Sequence, residues 1–159
     1  QVGIIGTVGT ISSGAYQHAV QDLDAIRAIS SELAAVACPG FVEFVERGDF
    51  DSVEMHLLAE RLLAPVEEAK VDTLLLGCTH YPYLARTITD VLGHDVMLVS
   101  SADETAFEVR RLVTELQIGN REHVMGVHDS CTTGDVNRFE QLGRELLGPE
   151  LRTARQVNL

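Results

Sequence analysis

Tryptophan is absent from the 159 residues, and the aromatic side chains together make up only 5%. A protein that grips single-stranded nucleic acid by stacking bases on aromatic rings needs more of them. Basic residues are also scarce: 12 Lys and Arg stand against 24 Asp and Glu, for a net charge of −12. That balance repels polyanions, which excludes nucleic acid and an anionic membrane surface as direct partners. A small anion is still admissible, because backbone N–H groups and hydroxyls bind it locally. No run approaches the roughly 18 apolar residues that span a bilayer, and no basic, signal-like segment opens the chain. Cysteine is sparse. Cys38, Cys78 and Cys131 are too few and too scattered for a disulfide framework. No CxxC pair is available for zinc, and no His/Asp/Glu spacing forms a metal site. Three reduced thiols in a cytoplasmic protein is the plain expectation.

What is present is ordinary for a folded domain: 45% hydrophobic and 23% charged residues. A single domain of this length buries roughly 68–70% of its extended-chain surface, enough for a core. The chain starts at Gln1, without Met, and runs at once into Val2-Gly3-Ile4-Ile5-Gly6. An opening on a core strand leads us to expect a piece of a longer protein.

Short apolar runs alternate with amphipathic stretches. Strands are predicted at residues 2–6, 33–37, 73–76, 96–99 and 123–127. Ser12 or Ser13 caps a helix that turns Tyr16, Ala19 and Val20 inward and extends, or restarts at Asp22, towards Ile29. Cys38-Pro39 opens a short helix through Phe41, Val42 and Val45, closed by Gly48. Asp51 or Ser52 starts a long helix through Leu57, Leu58, Leu62 and Leu63, which Pro65 should kink or split. Pro82 fits the first turn of a helix ending near Leu92 and Gly93. Ser101-x-x-Glu104 reads as a capping box before Ala106, Val109, Val113 and Leu116. Asp135 caps a last helix with Phe139, Leu142 and Leu146 inward, stopped by Gly148-Pro149. The tail after Pro149 is expected to be mobile. Alternation of this kind predicts an α/β fold, a parallel sheet flanked by helices.

In an open parallel sheet, ligands bind beyond the carboxyl ends of the strands. Three loops should therefore share one edge: Gly6-Thr7-x-Gly9-Thr10, Cys38-Pro39, and Gly77-Cys78-Thr79-His80-Tyr81-Pro82. Cys78 stands where a strand gives way to a helix start, a setting that can lower a thiol pKa and expose it. His80, two residues on, can tune that thiol or touch substrate, and Thr79 offers a hydroxyl and an N–H to an anionic group. The plainer alternative is a buried sheet-edge Cys and a turn-capping His. Thr7 and Thr10 can cradle a carboxylate or phosphate, or simply build a Gly-rich turn; without a following Lys the segment is no Walker loop. Cys38 reads as a small buried hydrophobe. Cys131 lies in a polar loop without a role. His18, His56, His94 and His123 read as surface or packing residues, and His128 is unassigned.

The hexapeptide Gly77-Cys78-Thr79-His80-Tyr81-Pro82 resembles that of the cofactor-independent aspartate/glutamate racemases, the glutamate racemases in particular. Two further segments agree in order and spacing: Ile5-Gly6-Thr7-Val8-Gly9-Thr10-Ile11-x-Ser13-Gly14-Ala15-Tyr16, and Ala37-Cys38-Pro39-x-Phe41-Val42-x-x-Val45-Glu46-x-Gly48. Residues 100–106, and 132–135 followed by Phe139, resemble later family segments. The resemblance implies an isomerase that interconverts L- and D-glutamate for peptidoglycan synthesis, with no cofactor and no metal. Two cysteines would face opposite sides of the α-carbon, one removing a proton as thiolate and the other delivering one as thiol. Cys78 matches the second of these and His80 its assisting His. Thr79 and His80 match the substrate pocket, Thr7 and Thr10 match hydroxyls near the substrate, and Glu46 matches a carboxylate near the second thiol. Cys38 falls on a position that is not a catalytic base.

The family's first half, with its own cysteine, has no counterpart here. The resemblance thus implies that residues 1–99 form a second α/β domain and that residues 100–159 would complete a missing first one. Three expectations follow from this. The isolated chain should not racemise glutamate. It should expose apolar surface around residues 124–127 and the flanking helices. It should also self-associate, as a homo-oligomer, or need its missing half. Aspartate- or hydantoin-type racemisation is the enzymatic alternative. A protein-binding role, restraining DNA gyrase as some glutamate racemases do, is the non-enzymatic one.

Overall fold

The computed structural model describes residues 1–120 and 126–158. Four short strands, β1 (Val2–Gly6), β2 (Leu33–Ala37), β3 (Thr73–Leu76) and β4 (Met97–Ser100), form a parallel sheet in the order β2-β1-β3-β4. Each is a mostly apolar run, as strands of a parallel sheet are. Ile5 lies opposite Val36 on one side and Leu76 on the other, and Leu76 lies opposite Ser100. The carboxyl ends of the strands therefore share one edge. The predicted strands are found, the fourth displaced by one residue. Of the fifth, residues 123–125 lie outside the described residues, and Gly126 and Val127 are not in a strand.

One sheet face carries the core. Ile5, Leu74 and Leu76 pack with Phe41 and Val45 of α3 (Phe41–Glu46), with α4 (Val53–Glu68), and with Ile88 of α5 (Ala85–Leu92). The α4 contribution is Met55, Ala59, Leu63 and Val66, a single stripe at helical spacing that is wholly buried. Of these, Met55, Leu63 and Val66 each contribute roughly 1.5–3 kcal/mol of transfer free energy, and Ala59 less. Pro65 does not split α4. It lies in the last turn, where its missing N–H costs one hydrogen bond and its carbonyl still accepts from Ala69.

Local chemistry explains most boundaries. Ser52 accepts from the Met55 N–H at 3.1 Å and starts α4. Between β1 and β2 the predicted helix is two: α1 (Val8–Ser12), capped by Thr7, and α2 (Ala15–Arg27). Gly14 separates them, with φ 69°, a conformation that suits glycine. The 3₁₀ turn Tyr81–Leu84 carries Pro82 in its first positions and runs into α5. The expected capping box at Ser101 is displaced by one residue. Ser100 caps α6 (Ser101–Glu115) through the Asp103 N–H, and the Ser101 hydroxyl donates to the Leu76 carbonyl at 2.9 Å.

The opposite sheet face is thinly covered. By alternation it presents Ile4, Ala35, Leu75 and Val99. Of these only Ile4 is buried. Neither α2 nor α6 buries a residue. Ala19 is exposed rather than inward. Val109 and Leu116 are likewise exposed, as are Phe107 and Leu112.

The C-terminal region adds β5 (Ser130–Thr132), α7 (Val136–Leu147), capped by Asp135, and β6 (Ala154–Gln156). The tail, expected to be mobile, carries a strand among its described residues: β6 pairs parallel with β5, and Leu151 is buried. The polarity of Arg155 and Gln156 hid this strand. Cys131 accordingly lies in β5 and not in a loop.

Candidate functional site

Three strand exits converge as the sequence predicted. The Cys38 N–H donates to the Gly6 carbonyl at 2.9 Å, and the Gly77 N–H donates to the Ile5 carbonyl at 2.8 Å. The loops after β1, β2 and β3 are thereby tied side by side.

The third loop carries a relay of side chains. His80 Nδ1 lies 3.9 Å from the Cys78 Sγ, and its Nε2 lies 2.9 Å from Glu46 Oε1. A carboxylate only accepts, so Glu46 fixes the proton on Nε2. The Nδ1 lone pair is then left facing the thiol. Glu46 reaches His80 because it is the last residue of α3, which the core anchors through Phe41 and Val45. The Thr79 hydroxyl lies 3.4 Å from the same Nδ1 and is exposed. Cys78 is partly exposed and packs in part against the core. Tyr81 beneath the loop is fully buried, its ring edge-on to Phe41 at 5.3 Å, and its hydroxyl donates to the Cys38 carbonyl at 3.1 Å. This anchors the end of the loop.

The Thr7 and Thr10 hydroxyls lie 2.9 Å apart, and Thr7 Oγ1 also accepts from the Thr10 N–H at 3.2 Å. They form a pair of their own at the exit of β1. No hydrogen bond among the described residues joins them to Cys78 or His80. They share the sheet edge with the thiol loop but not its network.

Cys38 is buried, and desolvation pushes its thiol up to about 12. Such a thiol is inert as a base, in line with its reading as a small hydrophobe. On the far side of Glu46, a groove of about 530 Å³ is lined by Tyr83 and by Arg138, Phe139, Leu142 and Leu146 of α7.

Two supports of the loop were not read from sequence. The Ser101 hydroxyl holds the last residue of β3, and the Tyr16 ring lies against Gly77. A helical pattern marks Tyr16 as inward but not what it meets.

Comparison with known proteins agrees with this geometry. The profile of the Asp/Glu/Hydantoin racemase family matches residues 1–109. The chain is 46% identical over 152 residues to a glutamate racemase of Parafrankia sp., covering 95% of this chain and 53% of that protein. It is 39% identical over 163 residues to the glutamate racemase of Oceanobacillus iheyensis, covering 58% of it. The chain thus spans a little over half the length of these curated relatives. Among solved structures, a glutamate racemase isoform from Bacillus anthracis superposes with a TM-score of 0.89 at 35% identity, over 99% of this chain and 57% of that one. The Francisella tularensis glutamate racemase in complex with D-glutamate superposes with a TM-score of 0.87 at 25% identity, over 99% of this chain and 57% of that one. With a profile match over most of its residues and a superposition over nearly all of them, the chain belongs to the Asp/Glu/Hydantoin racemase family.

Proposed function

We propose that this chain carries one half of a glutamate racemase, with Cys78 as one of two acid–base thiols and the other in a segment beyond these 159 residues. The observation that carries the reading is the Cys78–His80–Glu46 relay at the carboxyl edge of the sheet. The relatives at 46% and 39% identity are named glutamate racemases, which supports glutamate as substrate.

Racemisation at an α-carbon needs a proton taken from one face and another delivered to the opposite face. In one direction the Cys78 thiol passes its proton to His80 Nδ1. The thiolate so formed abstracts the α-proton, and a thiol on the far face supplies its own proton to the carbanion. In the reverse direction Cys78, as thiol, is the donor. Counted from the Cys78 thiolate, the two sulfurs have exchanged protonation states; the proton taken by His80 is then released to solvent as the far thiolate takes one up, which restores the starting state. Thr79, Thr7 and Thr10 offer hydroxyls to the substrate's carboxylates. Glu46 acts through His80 and is a positioning residue.

On this reading residues 1–99 form the unit that bears the thiol, and residues 100–159 complete a unit whose remaining strands come from elsewhere. The product would serve cell-wall peptidoglycan in the cytoplasm. Among the described residues no helix is long and apolar enough to cross a membrane.

Chiral chromatography of glutamate tests the proposal. The chain alone should leave L-glutamate unchanged. Mixed with the N-terminal segment of the Parafrankia relative that this chain does not cover, it should produce D-glutamate, and Cys78→Ser should abolish that. Ordinary turnover by the chain alone, or activity of the mixture that survives Cys78→Ser, overturns it.

A further inference from the structure

Gly77 is the residue between the end of β3 and the thiol, and its surroundings are unusually close. Its N–H is bonded to the Ile5 carbonyl, and the preceding carbonyl, of Leu76, accepts from Ser101 at 2.9 Å. A Cβ placed on Gly77 would lie 2.9 Å from the Ile5 oxygen and 3.1 and 3.4 Å from Cε2 and Cζ of Tyr16. The first approach, to a backbone oxygen, requires glycine; the second is tight and places the Tyr16 ring against Gly77, beside the space a Cβ would take. Tyr16 is the second residue of α2, a helix that buries no residue and leaves Leu23 and Ile26 exposed. The ring itself is half-buried. Its hydroxyl has no hydrogen-bond partner among the described residues, so the contact is made by ring carbons.

The position of Sγ depends on where the chain leaves β3. Acid–base groups tolerate displacements of only about 0.5 Å, and a 1 Å error can cost roughly 10²-fold. We propose that Tyr16 is a positioning residue for Cys78: its ring, seated on Gly77, fixes the turn from which the thiol departs and so holds Sγ within reach of His80 Nδ1. This rests on the function proposed above, because it gives the Cys78–His80 pair its purpose. The hydroxyl plays no part, and phenylalanine should serve as well as tyrosine.

Site-resolved alkylation tests this in the chain as it stands. Iodoacetamide modification of Cys78 is followed by mass spectrometry from pH 5 to 10, with exposed Cys131 as internal reference and a thermal melt for each variant. Tyr16→Phe should keep the wild-type rate profile at Cys78. Tyr16→Ala and Tyr16→Leu should change the Cys78 rate about tenfold, and shift its pH profile, while Cys131 stays constant. Tyr16→Leu decides the matter if Tyr16→Ala does not fold. An unchanged Cys78 profile in Tyr16→Leu overturns the role of Tyr16, as does a shift already present in Tyr16→Phe. His80→Ala separates the two readings. If it leaves the wild-type Cys78 rate untouched, the acid–base reading itself fails. If it alters that rate while Tyr16→Leu does not, only the role of Tyr16 fails.

Discussion

His80 Nε2 donates to Glu46 Oε1 across 2.9 Å, although 34 residues separate the two in sequence. The pair is partly exposed, so its contribution to stability is small. Its consequence is tautomeric. With the proton held on Nε2, the nitrogen that faces Cys78 is free to accept.

Glu46→Ala should therefore leave the thermal midpoint nearly unchanged and slow Cys78 alkylation by about tenfold, in the lower range for loss of an outer partner that orients an imidazole. Glu46→Gln should fall between, since its amide oxygen still accepts from Nε2–H. Alkylation kinetics on the three proteins check this. Equal rates would show that His80 keeps its tautomer without the carboxylate.

Cys78 and His80 act on the same proton, so their losses should not add. In the complex with the complementary segment, Cys78→Ser should remove α-proton exchange on one face, because a hydroxyl is far too weak an acid to replace a thiol. His80→Asn should cost roughly 10²–10⁴-fold. The double variant should be no worse than Cys78→Ser alone. Proton NMR of α-hydrogen exchange in D₂O measures all three.

Cys38 makes a prediction of the opposite kind. Burial raises its thiol from 9.0 to about 12. In the unfolded chain it ionises near its ordinary value, while in the fold it stays protonated. Between pH 9 and about 12 the folded state therefore binds more protons than the unfolded one, and stability falls as pH rises. Buried Tyr81 is shifted in the same direction, by desolvation first. Urea midpoints should drop steadily above pH 9, and Cys38→Ala should make that decline shallower. An identical slope in Cys38→Ala would show that Cys38 does not contribute to it.

The sheet and the thiol loop were legible because they are local. Apolar runs of four or five residues mark the strands, and the strand–Gly77-Cys78-x-His80 order places a thiol at a sheet edge whatever surrounds it. Glu46 was legible only through resemblance, since nothing in its own neighbourhood points 34 residues ahead to His80. The parallel pairing of β5 and β6 was not legible: Ala154–Gln156 is polar, and its Arg155 pairs with Asp129 just before β5, 26 residues away. Helix α4 shows the reverse error. Pro65 is a strong local signal, but its place in the last turn lets the packing of Leu63 and Val66 override it.

The thinly covered side of the molecule carries the last prediction. Phe107, Val109 and Leu112 of α6 and Leu116 at its C-terminal cap are 62%, 53%, 40% and 62% exposed, and Met97 on the edge strand is 66% exposed. Val109, Leu112 and Leu116 recur at helical spacing and share one side of the helix, while Phe107 lies on another. Among the described residues the pair β5–β6 has no further strand on either edge, and a two-stranded sheet is marginal alone. A net charge of −12 opposes association at low salt but is screened within about 8 Å at physiological ionic strength. The chain should thus sediment as dimers or larger species at micromolar concentration in 0.15 M salt. Leu112→Glu with Leu116→Glu on α6 should shift it toward monomer without loss of helical signal. A wild-type chain that sediments as a single monomeric species across that range would mean that these faces are satisfied within one molecule.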